Sequence, residues 1–186
     1  MWIFGYGSLM WDKWHEQRNC LRVRKAKLIG YRRRFNKASI SNWGTKISPC
    51  PTLNLEKCEG ALCEGLAFEF PDELQEEIFS YLKNREGKSF ELQKHSVVLE
   101  DGDSVDAHVP VYVGKNILKQ DIDTLANMAL NAAGISGKCK DYVANLEMQL
   151  NELNIQDGEV RTFSQLVKQK DDAHAFNTDA PKRRAS

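Results

Sequence analysis

At Leu118 the apolar spacing of this chain changes from alternation to steps of three and four, which divides a strand-forming stretch from a helix-forming one. Ahead of the change, Trp2 to Tyr6 reads as a short strand. "CLRVRKAKLIGYRRRFNKASI" carries a longer one, in which Leu21 and Val23 give way to Leu28, Ile29, Tyr31 and Phe35 around Gly30. An interior glycine with a change of apolar phase predicts a bulge or bend there. "GALCEGLAFEF" alternates as far as Pro71, and "SFELQKHSVVLEDGDSVDAHVPVYVG" holds two alternating runs joined around Asp101-Gly102, the strongest hairpin signal present. The stretch 36–59 is rich in Ser, Asn, Pro, Gly and Lys and reads mostly as loop, with Thr52 to Leu55 its one strand-like run.

One helix interrupts the strands. Leu74, Ile78 and Leu82 share a face, Asp72 and Gln75 are spaced as a capping box, and Gly87 supplies a stop. After the change of period, Leu118, Ile122, Leu125, Met128 and Ala129 fit one helix, and Tyr142, Leu146, Met148, Leu150 and Leu153 a second. Val160 to Lys168 fit a third. The final stretch is polar and aperiodic, so the expected organisation is one domain over 1–168 and a disordered tail over 169–186.

Composition removes several function classes. The 26 basic and 26 acidic residues cancel, so the chain has no overall field to recruit nucleic acid or an anionic membrane. "RVRKAKLIGYRRRF" is locally basic, with seven cations around Tyr31, and reads as the solvated face of a strand, with nucleic acid not expected as a partner. No stretch approaches the ~18 apolar residues of a membrane span. The start "MWIFGYGSL" shows no basic region, long apolar core or small-residue cleavage site of a secretory leader, so the expectation is a soluble, cytoplasmic protein. Cys20, Cys50, Cys58, Cys63 and Cys139 form an odd set without a C-x-x-C pair and read as reduced thiols.

Few motifs carry chemistry. Gly5-Tyr6-Gly7 follows a strand, but the third glycine of a dinucleotide fingerprint would fall at Met10, and no phosphate-cradling G-x-x-x-x-G-K-[ST] occurs. The four histidines show no metal-binding spacing, and Asp101-Gly102-Asp103 lacks the later ligands of a calcium loop. Ser8 does not stand in a nucleophile elbow. A strand that ends in Gly-Tyr-Gly-Ser-Leu can turn sharply and direct successive amides into one concavity, an arrangement that holds carboxylates. Glu86 falls at the C-terminus of the expected helix, where the helix dipole disfavours negative charge and raises a carboxyl's pKa, as suits a group that accepts and returns a proton.

Taken in order, Phe4-Gly5-Tyr6-Gly7-Ser8-Leu9-Met10-Trp11, Gly30-Tyr31-Arg32-Arg33-Arg34-Phe35, Ser39 through Gly44-Thr45, "EGLAFEF" and Tyr81-Leu82-x-x-Arg85-Glu86 resemble the ChaC-type γ-glutamylcyclotransferases over about residues 2–155. The resemblance implies an α+β fold, a small mixed β-barrel flanked by helices with a helical C-terminal segment. It implies cleavage of glutathione to 5-oxoproline and Cys-Gly without metal or cofactor, with a small γ-glutamyl substrate as the partner. On the same basis Tyr6, Gly7, Ser8 and Leu9 are substrate-binding, through backbone amides on the γ-glutamyl group, and Glu86 is the catalytic acid/base. Sister activities on other γ-glutamyl amines or amino acids, and a non-catalytic γ-glutamyl-binding module, are the alternatives.

The chain departs from the family pattern at Arg34-Phe35-Asn36, where Arg-Phe-Trp is usual, at Asn42-Trp43-Gly44-Thr45, where His-Arg-Gly-Thr is usual, and at Ser48 to Leu53, where an arginine before Thr-Leu is lost. These positions are expected to shape the leaving-group side of the site. Arg32, Arg33 and Arg34 are candidates to meet a substrate carboxylate, and strand alternation sends neighbours to opposite faces.

Overall fold

The computed structural model describes residues 1–178. Five strands close a mixed barrel: β1 (Trp2–Gly5), β2 (Arg22–Ser39), β3 (Cys50–Glu69), β4 (Phe90–Leu99) and β5 (Ser104–Tyr112), in the order β1-β3-β2-β4-β5. Every neighbouring pair is antiparallel except β1 with β5, where Trp2 faces Ala107 and Ile3 faces His108 in parallel register and closes the cylinder. The expected hairpin is present, with β4 and β5 joined around Gly102 at φ +94°.

Alternation along β1 builds two cores from one strand. Phe4 and Tyr6 point into the barrel with Leu28, Leu55, Val97 and Val109. Ile3 points outward and joins Phe68, Phe70 and Trp14 beneath the helices. Gly65 on β3 is what lets these strands approach: a Cβ there would lie 2.3 Å from the Gly5 carbonyl oxygen and 2.8 Å from the Phe4 ring.

The β2/β3 ladder is longer than the sequence pattern suggests. It runs from Arg22↔Glu69 to Ser39↔Cys50, with a register break at Gly30, where the change of apolar phase predicts one, and a second between Arg34 and Lys37. The stretch 50–59 is therefore strand rather than loop. Its signal is masked because Asn36, Thr52 and Asn54 are buried polar residues, so apolar alternation fails where the ladder continues. The basic run on β2 lies among acids: Arg22 pairs with Glu69, Arg24 with Glu100 and Asp101, and Lys27 with Glu64.

The helices cover the outer face. α1 (Gln75–Glu86) follows a 3₁₀ turn over Asp72–Leu74, and Gly87 ends it at φ +86°. No side-chain capping bond forms at its start, so the capping-box expectation fails there. α2 (Ile122–Asn131) begins at Asp121, whose carboxylate accepts the Thr124 N–H at 2.9 Å. Leu118 precedes that helix and donates its N–H to Asn36 O instead. α3 (Cys139–Glu152) buries Val143, Leu146 and Leu150. Burial of such a side chain contributes about 1.5–3 kcal/mol. α4 (Gly158–Thr178) stacks Phe163 on Phe35 of β2, ring centroids 4.2 Å apart. This helix extends beyond Lys168 as far as Thr178, so residues 169–178 are helical, and 179–186 lie outside the described residues. No helix among the described residues is long and apolar enough to cross a membrane.

One expectation is overturned outright. Cys50 and Cys139 form a disulfide across 89 residues, with Cα atoms 5.7 Å apart, while Cys20, Cys58 and Cys63 are free thiols. The spacing test saw no C-x-x-C pair, but the fold places the first residue of β3 against the first residue of α3.

Candidate active site

Directly after β1 the chain makes a 3₁₀ turn over Ser8–Met10, closed by the Met10 N–H on Gly7 O at 2.9 Å. The protein pulls the acceptors of this turn away from the surface. Arg33 Nε donates to Tyr6 O at 2.7 Å, and Trp14 Nε1 donates to Leu9 O at 3.0 Å. The Tyr6 hydroxyl donates to Pro110 O at 2.9 Å, and the buried Leu9 side chain joins the outer core. With the Tyr6 and Leu9 carbonyls and side chains held inward, the backbone amides of Gly7, Ser8 and Leu9 precede the first closed hydrogen bond of the turn. They belong to the wall of a cleft of about 400 Å³, within the size range of small-molecule sites.

Gly7 has a local reason to be glycine. A Cβ on it would meet only Leu53 Cδ1 at 3.8 Å, so a side chain there would fill cleft rather than protein. Gly5 differs, since a Cβ would press on Leu9 Cβ at 3.0 Å and the Phe68 ring at 3.2 Å. The first glycine packs the protein and the second keeps the cleft open.

Glu86, the last residue of α1, lines the same cleft. Its side chain is 20% exposed. Burial raises its carboxyl above the usual glutamate range, Arg85 and Lys37 oppose that rise, and Asp12 adds to it. The direction agrees with the helix-end expectation, but the leading cause is burial.

Arg85 ties the carboxylate to the turn. Its Nη2 donates to Ser8 Oγ at 2.9 Å, its Nε lies 3.4 Å from Glu86 Oε1, and its Nη1 reaches Asp12 and the Tyr81 hydroxyl. Tyr81 is in turn stacked on Trp14, 5.6 Å between centroids. One guanidinium thus links the Glu86 carboxylate to the turn.

More of the lining comes from the segments that depart from the family pattern. Asn42, Trp43, Thr52 and Leu53 contribute to it, with Tyr142 and Asn145 of α3. Leu53 N–H donates to the Tyr142 hydroxyl at 3.2 Å, and burial pushes that hydroxyl up to about 12, so it stays neutral at physiological pH. Tyr6 is likewise raised, chiefly by burial, and is neutral.

Of the three adjacent arginines, none faces the cleft as a free cation. Arg33 is fully buried and its Nη1 donates to Asp157 Oδ2 at 2.8 Å, while Arg32 and Arg34 pair with Glu56 and Glu159. The cleft cation on β2 is Lys37, which alternation and bulge placement together did not single out. Asp12 and Tyr142 lie outside every motif of the sequence, whereas Arg85 stands beside Glu86 in the Tyr81-Leu82-x-x-Arg85-Glu86 signature without a role of its own there.

Comparison with known proteins agrees over nearly the whole chain. The family described as ChaC-like protein matches residues 1–170. γ-Glutamylcyclotransferase 2-3 of Arabidopsis thaliana is 28% identical over 180 residues, covering 90% of this chain and 88% of its own length. The glutathione-specific γ-glutamylcyclotransferase of Escherichia coli K12 is 30% identical over 84% of this chain and 68% of its own. In fold, a solved glutathione-specific γ-glutamylcyclotransferase from yeast superposes with a TM-score of 0.76 at 20% identity, over 91% of this chain and 96% of that one.

Proposed function

The chain belongs to the ChaC-like protein family, and from that premise we propose that it is a γ-glutamylcyclotransferase that converts glutathione to 5-oxoproline and Cys-Gly. The observation that carries the site assignment is that Glu86 and the Tyr6–Leu9 turn line one cleft, bridged by Arg85. The turn's amides hold the carboxylate of the γ-glutamyl group, and the open space at Gly7 admits it.

The α-amine of the bound γ-glutamyl group attacks its own γ-carbonyl carbon. A carbon–nitrogen bond forms to close the five-membered lactam, and the bond from that carbon to the cysteinyl nitrogen breaks. Glu86 accepts the proton lost by the attacking amine and delivers it to the departing nitrogen. Nucleophile and electrophile belong to one molecule, so the protein's part is to hold the folded-back conformer and to move one proton. Burial suits Glu86 to this shuttle, because a raised pKa brings the carboxyl nearer the operating pH.

The test is mass-spectrometric detection of 5-oxoproline from purified protein given glutathione, γ-glutamyl-alanine and γ-glutamyl-lysine in parallel. Product from glutathione that disappears in Glu86→Gln supports the reading. Product only from another substrate moves the enzyme to a sister activity, and no product from folded protein leaves a γ-glutamyl-binding module.

A further inference from the structure

Lys37 is the one cleft cation that the mechanism above does not use. Arg85 is engaged by Asp12, Ser8, Tyr81 and Glu86. Arg32, Arg33 and Arg34 of β2 are engaged by Asp157, Glu56 and Glu159. No carboxylate among the described residues comes within ion-pair distance of Lys37. Its ammonium instead lies beside an edge-to-face pair of rings, 5.5 Å from the centroid of Phe90 and 5.6 Å from that of Tyr112, whose centroids are 5.2 Å apart.

This placement is costly for a cation. Desolvation lowers the lysine's pKa, with Glu86 as the opposing charge. Aromatic faces offset part of the loss by cation–π attraction, but they cannot replace a counter-ion. A desolvated cation at a cleft wall is the arrangement that rewards an incoming anion most, because the carboxylate that pairs with it also relieves the lysine's own penalty.

The position on the strand indicates which anion. Lys37 pairs across the ladder with Thr52, whose hydroxyl donates to Lys37 O at 3.0 Å, and cross-strand partners share a face. Both residues line the cleft together with Asn42 and Trp43, and neither belongs to the turn assigned to the γ-glutamyl end.

Resting on the proposed γ-glutamylcyclotransferase reading, we infer that Lys37 binds the terminal carboxylate of the leaving half of the substrate. It thereby selects γ-glutamyl peptides and amino acids over γ-glutamyl compounds whose leaving amine bears no carboxylate.

The experiment compares glutathione with its glycine carboxamide, identical except for the lost charge, in wild type, Lys37→Met and Lys37→Arg. Wild type is expected to prefer glutathione in kcat/KM by about 10- to 100-fold, the range of a charge-assisted hydrogen bond. In Lys37→Met that ratio falls toward one, with the loss carried by KM, and Lys37→Arg restores part of it. An influence of Lys37 on Glu86 acts on both substrates alike and cancels in the ratio. Equal treatment of the two substrates by wild type overturns the inference without need of any variant, as does an unchanged ratio in folded Lys37→Met. Failure of wild type to form 5-oxoproline from any γ-glutamyl compound is a separate result, which overturns the proposed function and the inference with it.

Discussion

At Glu86 burial works against stability, and the proposed proton shuttle draws on the same burial. The native carboxyl has a pKa above its unfolded value, so the native state binds more protons in the window between the two, and stability falls as pH rises through that window. Below the ordinary glutamate value near 4.5 both states are protonated and the effect vanishes. Glu86→Gln is therefore expected to lose turnover by about 10²–10⁴-fold yet to melt at the same or a higher temperature at pH 7–8, with any gain disappearing in acid. A lower melting temperature at neutral pH would refute the buried-charge account. In the active enzyme the base form is the ionised one, so the acid limb of kcat/KM should lie above the ordinary glutamate range. Removal of the Lys37 charge should move it higher still, since Lys37 and Arg85 hold the pKa down and Asp12 pushes it up. A limb that stays fixed in Lys37→Met would place the titration elsewhere. Gly7→Val puts a branched side chain into the cleft beside Leu53 and should raise KM about tenfold or more. An unchanged KM, with circular dichroism showing the native fold, would remove the turn from the binding site. Both residues were legible because their signals are local: a strand broken by small residues, and an acid at a helix end.

The decisive element is β2, and what it does is invisible along the strand. Arg33 extends between layers, donating to Tyr6 O behind the turn and to Asp157, whose other oxygen accepts the Val160 N–H at the start of α4. With the Arg33 side chain fully buried and that of Asp157 11% exposed, loss of one partner strands a charge. Arg33→Ala should cost about 3–5 kcal/mol in denaturant unfolding, and Arg33→Lys should rescue little, because an ammonium cannot span a carbonyl and a carboxylate as the guanidinium fork does. A loss below about 1 kcal/mol would mean the pair behaves like a surface contact. Strand alternation could say that Arg32 and Arg34 oppose Arg33. It could not say which face was interior, since Gly30 and the second register break reset the phase twice.

On the scale of the whole molecule, the Cys50–Cys139 bond joins the barrel to the helical layer behind the cleft wall that carries Thr52, Leu53 and Tyr142. A cross-link closing so long a loop stabilises mainly by restricting the unfolded chain, typically by about 2–4 kcal/mol. Cys139→Ser, or reduction, should lower unfolding free energy by that order and raise KM through a looser Leu53–Tyr142 contact. Denatured protein should titrate as the three thiols Cys20, Cys58 and Cys63 before reduction and as all five cysteines after it. Five thiols before reduction would return the chain to the all-reduced reading.

The sequence by itself determined most of the elements and marked the turn and Glu86 as the candidate site. Strand and helix periods, the hairpin at Asp101-Gly102 and the ordered family motifs each depend on residues within a few positions of one another, where backbone geometry alone sets what a side chain can face. The tertiary structure alone decided that β1 closes on β5 and that β3 begins at Cys50 despite its buried polar residues. It also decided that Cys50 meets Cys139, that Arg33 pairs with Asp157, and that Lys37 lines the cleft without an ion pair among the described residues. These pairings join positions far apart in the chain, and their partners are chosen by barrel closure and by the cost of burying unpaired charge, which no local spacing records.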